Sequence, residues 1–154
     1  MKQLTILVFG VLMCLHLLLA APPACAQVKT VEIPFSVSGG LILVDANING
    51  KKASLLFDSG AMRTFVNPVI LDGLTTTTDK AISIADGNRV DVRVVKTVVS
   101  LGGASVEVAV SSYDMTKFAA SIGVRLDGVV GQDVIGKFSG ILIDYARHRI
   151  TLIE

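Results

Sequence analysis

The sequence has no tryptophan, and only 5% of its 154 residues are aromatic. It has two cysteines and two histidines, and just 18% of its residues are charged. Cys14, Cys25 and His16 all fall within the first 26 residues, which leaves His148 as the one histidine of the remainder. With that segment set aside there is no disulfide framework, no thiolate zinc site and no cysteine nucleophile. A serine hydrolase would have to use His148, and a centre of several histidines cannot be built within one chain. Fourteen basic residues face thirteen acidic ones, and without Lys2 the two counts are equal. Balanced charge and scarce aromatics argue against a nucleic-acid binder, which needs a basic stripe. No metal or other cofactor is expected. Any chemistry falls to carboxylates, and the chain has ten aspartates.

The apolar residues are unevenly spread. Residues 1–26 hold one charge, Lys2, followed by a run from Leu4 to Ala21 broken only by Thr5, Gly10 and His16. This reads as a secretory signal peptide, with Ala24-Cys25-Ala26 as the small-x-small site and cleavage between Ala26 and Gln27. Pro22-Pro23 stops a helix just before the cut. The rival is an uncleaved anchor, since about 18 residues can span a bilayer. Both place the domain outside the cytosol, secreted or periplasmic, with membrane contact only if the segment is kept.

The remaining 128 residues read as short strands and hairpins. Val31–Val37 alternates apolar and polar up to Gly39-Gly40, so residues 27–40 form an N-terminal strand or linker ahead of a domain spanning 41–154. Leu41–Ile48 and Ala53–Phe57 flank Asn49-Gly50, a strong two-residue turn signal. Val66–Leu71 is a further run, and Thr75–Thr78 a β-prone edge or loop. Ala81–Ala85 and Val90–Val95 flank Asp86-Gly87-Asn88, while Val98–Leu101 and Val106–Val110 flank Gly102-Gly103. A helix is predicted over Asp114–Ser121, with Asp114 as its N-cap and Gly123 as its stop, and a second over Asp133–Phe138. Ile141–Tyr145 and Arg149–Ile153 close as a last hairpin. The pattern predicts an all-β domain, closed or nearly so, with one or two short helices. A hairpin followed by an apolar strand and a glycine turn occurs twice, an echo of two-fold symmetry.

The informative stretch is Leu55-Leu56-Phe57-Asp58-Ser59-Gly60-Ala61. Three apolar residues carry Asp58 to a strand end, Ser59 adds a hydroxyl, and Gly60 permits a tight turn. Taken alone this is an Asx-type turn closing a strand. Seventy-one residues after Gly60, Val129-Val130-Gly131 repeats the strand-to-glycine form and is followed by Gln132-Asp133-Val134-Ile135 and Ile143-Asp144-Tyr145. Asp133 and Asp144 themselves read as a helix cap and a strand-end carboxylate.

This order of motifs resembles the retropepsin-like aspartic proteases, particularly the bacterial aspartyl protease branch, over Leu41 to Ile153. The resemblance implies a small closed acid-protease barrel. Asp58 matches the catalytic aspartate. Ser59 matches the hydroxyl residue that ties two active-site loops together, and Gly60 and Ala61 complete the loop. The hairpin at Ala85, Asp86 and Gly87 matches the flap over substrate. Val129, Val130 and Gly131 match the strand that supports the loop.

Such an enzyme uses two carboxylates, and this chain has a single Asp-Ser-Gly. Neither Asp127-Gly128 nor Gln132-Asp133 has the required sequel. The resemblance therefore implies a homodimer, with an extended peptide or protein as substrate and with Ile150–Ile153 and Val31–Val37 as candidate dimer strands. Two other readings stay open: a non-catalytic module of the same fold that binds peptides or serves as a scaffold, and a β domain that carries Asp-Ser-Gly-Ala by chance.

Overall fold

The computed structural model describes residues 28–82 and 89–154, with backbone alone for 79–82 and 89–91. The expected signal segment 1–26 and the expected flap residues Ala85, Asp86 and Gly87 lie outside the described residues. Among the described residues no helix is long and apolar enough to cross a membrane.

Among the described residues ten strands run β1 (Thr30–Ser38), β2 (Leu41–Ile48), β3 (Lys51–Phe57), β4 (Phe65–Val66), β5 (Thr77–Ile82), β6 (Arg89–Leu101), β7 (Ala104–Ser112), β8 (Gly128–Val130), β9 (Gly140–Asp144) and β10 (Arg149–Ile153). Two short helices, α1 (Thr116–Ile122) and α2 (Gln132–Ile135), flank β8. The strands form one sheet in the order β5-β6-β7-β4-β8-β3-β2-β1-β10-β9. A further pairing of β6 with β2 (Asn47↔Ser100, Ile48↔Val99) closes six of them, β2, β3, β8, β4, β7 and β6, into a barrel.

Local chemistry sets these elements. Asn49 (φ 49°) and Gly50 (φ 83°) both take positive φ at the β2–β3 turn. Two left-handed residues match the twist of the flanking strands, which is why Asn-Gly turns the chain here. The Asn47 side chain accepts the Gly50 N–H at 2.7 Å. Gly123 ends α1 in the left-handed conformation (φ 67°, ψ 27°), donating its N–H back to the Ala119 and Ala120 carbonyls.

The main core is built mostly of aliphatic side chains, chiefly from β1, β2, β3, β6 and β10, with Ile33, Ile48, Leu55, Val99, Ile150 and Leu152 sealed inside. A second, smaller cluster of Leu43, Leu56, Met115, Leu126 and Val129 lies outside the barrel wall, where Ala119 and Ile122 of α1 cover it. This explains the two unbroken apolar runs. In β3, Leu55 and Phe57 face the main core while Leu56 faces the outer cluster; in β8, Val130 and Val129 divide the same way. A strand buried on both faces needs apolar residues at every position.

Several expectations shift. Val90–Val95 and Val98–Leu101 are one strand, β6, pairing with β7 from Val94 to Leu101 without a break. Val66–Leu71 is β4 followed by a 3-10 turn at Pro68–Leu71, because Pro68 has no N–H to give a sheet. Helix α1 starts at Thr116, and Asp114 stands ahead of it, its carboxylate accepting the Thr116 N–H at 2.9 Å. Thr116's hydroxyl and N–H, with Lys117 nearby, hold the Asp114 carboxyl below the usual carboxylate range. The second helix is a single turn, Gln132–Ile135. The two proposed dimer strands are occupied within the chain: Thr30–Pro34 pairs with Arg149–Ile153, Phe35–Ser38 pairs with β2, and β9 takes the other side of β10.

Candidate active site

Strands β3 and β8 lie side by side and parallel, with Leu55 opposite Gly128, Leu56 opposite Val129 and Phe57 opposite Val130. The two halves of the echo are thus neighbours, and both run toward the same end of the barrel. Asp58 follows directly from β3, and its N–H extends the ladder by donating to the Val130 carbonyl at 3.1 Å. The chain then turns. Asp58 Oδ1 accepts the Gly60 N–H at 2.8 Å, and the Asp58 carbonyl accepts the Ala61 N–H at 3.2 Å. The carboxylate is thereby oriented by its own loop while the residue stays partly exposed, and Ser59 and Gly60 are exposed.

The expected support residues hold this loop from the other side. Past Val130, the Gln132 N–H donates to the Ala61 carbonyl and the Gln132 amide donates to the Ser59 carbonyl, both at 2.8 Å. Ser59 therefore makes its contact through its backbone. Gly131 passes so close to the loop that a Cβ there would lie 2.6 Å from the Arg63 carbonyl oxygen and 2.7 Å from that of Ala61.

A second set of contacts lies behind the loop. Thr64 is fully buried. Its hydroxyl donates to Asp133 Oδ1 at 2.6 Å and accepts the Gly131 N–H at 3.1 Å, while its own N–H donates to Asp133 Oδ2 at 2.9 Å. Asp133 is therefore not a cap for α2; it clamps Thr64, and through Thr64 it fixes Gly131. Thr64, Gln132 and Asp133 are the site residues that the motifs did not single out. No local signal marks the clamp, since Thr64 and Asp133 stand 69 residues apart.

The other carboxylates serve elsewhere. Asp127 accepts the Ser54 N–H at 2.9 Å and lies 3.7 Å from Arg125, in the wall of a hollow of about 670 Å³ shared with Asp45, Asn47 and Lys52. Asp144 accepts from the Arg147 N–H and guanidinium at the last hairpin. His148, the last residue of that turn, packs edge-on against Phe35 with ring centroids 5.4 Å apart.

The clamp makes a graded prediction. Asp133→Ala strands the buried Thr64 N–H and hydroxyl proton without acceptors, and each buried orphan costs about 1–3 kcal/mol. We expect a loss of about 2–4 kcal/mol for Asp133→Ala in urea unfolding. For Asp133→Asn, which keeps one carbonyl acceptor, we expect about 1 kcal/mol. Equal losses for the two variants would show that the hydrogen bonds are not what Asp133 contributes.

A closed six-stranded barrel in which an Asp-Ser-Gly loop is laid against an apolar–apolar–Gly strand defines the retropepsin-like fold. The structure is similar to that of a retropepsin-like aspartic protease from Rickettsia conorii, with a TM-score of 0.51 and 15% sequence identity over 82% of this chain and 92% of that one. That likeness is one of fold. No curated protein sequence matches the chain. The sequence profile of the family described as aspartyl protease matches residues 44–134, which span β3, the Asp58 loop, β8 and most of α2. The chain belongs to the aspartyl protease family.

Proposed function

We propose that the protein is an aspartic endopeptidase that acts as a homodimer, with Asp58 of each copy forming the catalytic pair. The observation that carries this reading is the setting of Asp58. It stands at the end of a strand buried on both faces, its carboxylate oriented by the Gly60 N–H and its loop pinned by Gln132, yet it remains open to solvent on one side. A carboxylate held this firmly and left partly exposed suits chemistry better than packing. In the pair, one carboxylate takes a proton from water as the oxygen attacks the scissile carbonyl. The other gives a proton to the carbonyl oxygen. Collapse of the tetrahedral intermediate breaks the C–N bond and yields a carboxylic acid and an amine. An extended peptide would lie between the two copies, bonded by its backbone in β fashion. The N-terminal segment 1–26 is proposed to direct export, so that the enzyme works in a periplasmic or extracellular space.

Cleavage of a quenched peptide library at varied pH tests this. Two carboxylates about 3 Å apart cannot both ionise, as is known for aspartic proteases as a class. Such a pair is active in its singly protonated form and titrates as a unit, so the rate should rise and then fall with pH, highest from acid to near neutral. Activity should survive millimolar chelator, since carboxylates alone activate the water. A rate that climbs steadily into the alkaline range, or that chelator abolishes, would overturn the proposal. A folded, monomeric chain with no cleavage would point instead to a peptide-binding module.

A further inference from the structure

Residues 27–154 contain two thioethers, Met62 and Met115. Met1, Met13 and both cysteines fall within the first 26 residues, and the chain has no tryptophan. The fold gives the two thioethers opposite settings. Met115 is 3% exposed, sealed in the outer cluster with Leu43, Leu56 and Val129. Met62 is 83% exposed, the most open of the large hydrophobic side chains among the described residues. Methionine is ordinarily a core residue, so its place here asks for a reason. That place is the Asp58 loop. The carbonyl oxygens of Ala61 and Arg63, on either side of Met62, both crowd Gly131, at 2.7 Å and 2.6 Å from where a Cβ would stand. The Ala61 carbonyl also accepts the Gln132 N–H at 2.8 Å. The backbone is thus held on both sides of Met62. Its side chain projects into solvent from the loop that carries the partly exposed Asp58 and the exposed Ser59 and Gly60.

We infer that Met62 is an oxidation site through which a peroxide turns the enzyme down, and from which reduction turns it up again. The inference rests on the proposed aspartic-protease activity. A thioether is soft and polarisable, and its oxidation follows its exposure. In residues 27–154 no thiol or indole competes for the oxidant. The Met62 sulfur attacks one oxygen of hydrogen peroxide with a lone pair. The O–O bond breaks, an S=O bond forms, and the hydrogen on the transferred oxygen leaves with the other oxygen as water. Sulfur loses the two electrons that the peroxide gains. In the reverse step a reductase supplies two thiols, which become a disulfide while the sulfoxide oxygen departs as water. The sulfoxide is polar and chiral where the thioether was apolar and flexible. A peptide laid over Asp58 covers the exposed rim of this loop and must strip water from the new S=O, a cost that the thioether does not impose. The hydrogen bonds that orient Asp58 are made by Gly60, Ala61 and Gln132, not by the Met62 side chain, so the fold is untouched. Export, as proposed above, takes the loop out of the reducing cytosol.

Titration with hydrogen peroxide tests the assignment, with peptide cleavage and tryptic mass mapping on the same samples. The full chain is used with Cys14 and Cys25 replaced by serine, so that no thiol reacts first. Trypsin puts Met62 in the peptide Ala53–Arg63 and Met115 in Thr97–Lys117, which separates the two sulfoxides. Met62 should oxidise well ahead of the buried Met115, and kcat/KM should fall about tenfold in step with it. Far-ultraviolet circular dichroism should not change. Methionine sulfoxide reductases A and B, each specific for one epimer, should together restore the rate. Met62→Leu should hold its own starting rate through the same treatment. A chain that keeps its rate with Met62 fully oxidised overturns the inference and leaves the aspartic-protease reading intact. So does a Met62→Leu protein that loses its rate as fast as the chain with Met62. A chain that shows no Asp58-dependent cleavage before any peroxide is added overturns the catalytic reading, and the inference with it.

Discussion

Asp58→Asn is expected to lower peptide hydrolysis by about 10³-fold or more while leaving the protein folded and dimeric. Proton transfer by positioned side chains contributes about 10²–10⁴-fold. In a shared pair the loss of one group disables the other, so the effect should reach the upper part of that range. In a homodimer the substitution removes both carboxylates at once. Asparagine is close to aspartate in shape, and its amide oxygen can still accept the Gly60 N–H that Asp58 Oδ1 accepts now at 2.8 Å. Nor does the substitution touch the N–H that Asp58 donates to Val130. Melting temperature and sedimentation should therefore match the wild type. Mixing supplies a sharper arm: wild-type chains titrated with excess Asp58→Asn chains should lose activity as heterodimers form, because each heterodimer carries a single carboxylate. Undiminished cleavage by the variant would remove Asp58 from the chemistry, and activity that merely dilutes in proportion on mixing would overturn the pair shared between two copies.

How far the fold could be read from the sequence depends on whether a feature is local. The Asn49-Gly50 turn, the Gly102-Gly103 hairpin and the Gly123 stop are each set by backbone preferences of one or two residues, and each is found where expected. The runs at Leu55–Phe57 and Val129–Val130 are legible because burial on both faces leaves no position for a polar residue. Strand β6 was harder. Its buried positions are Val92 and Val94 in one phase, then Val95, Thr97, Val99 and Leu101 in the other. The slip at Val94-Val95 comes where β6 passes from its pairing with β5 to the barrel, so one strand reads as two. The Thr64–Asp133 clamp could not be read at all. Its members stand 69 residues apart, and a threonine beside β4 and an aspartate in a helical turn each have an ordinary local explanation. Pairing of β1 with β10 was likewise beyond the sequence, because nothing in a terminal strand says whether its partner is in the same chain or another.

Gly131→Ala is the substitution expected to damage stability and activity together. The backbone of Gly131 does not require glycine for its dihedral angles: φ is −111° and ψ −171°, extended values open to any residue. What requires glycine is space. An added Cβ would stand 2.6 Å from the Arg63 carbonyl oxygen and 2.7 Å from that of Ala61, and both are main-chain atoms that no rotamer change can withdraw. Relief must come from parting β8 and α2 from the Asp58 loop. That motion stretches the Gln132 N–H bond to Ala61 and the Gly131 N–H bond to Thr64, the contacts that fix the loop. Overpacking of this kind costs about 1–3 kcal/mol, and loosening of the hydrogen bonds brings the expected loss to about 3 kcal/mol, or roughly 10 °C in melting temperature. Gly128→Ala gives the contrast. Its Cβ would meet the Phe65 carbonyl oxygen at 2.2 Å, a harder clash, but it falls at the start of β8, away from Asp58. Gly128→Ala should thus destabilise at least as much as Gly131→Ala while retaining more activity per folded molecule. If instead activity follows stability alike in both variants, the close approach at Gly131 serves the barrel and not the placement of Asp58.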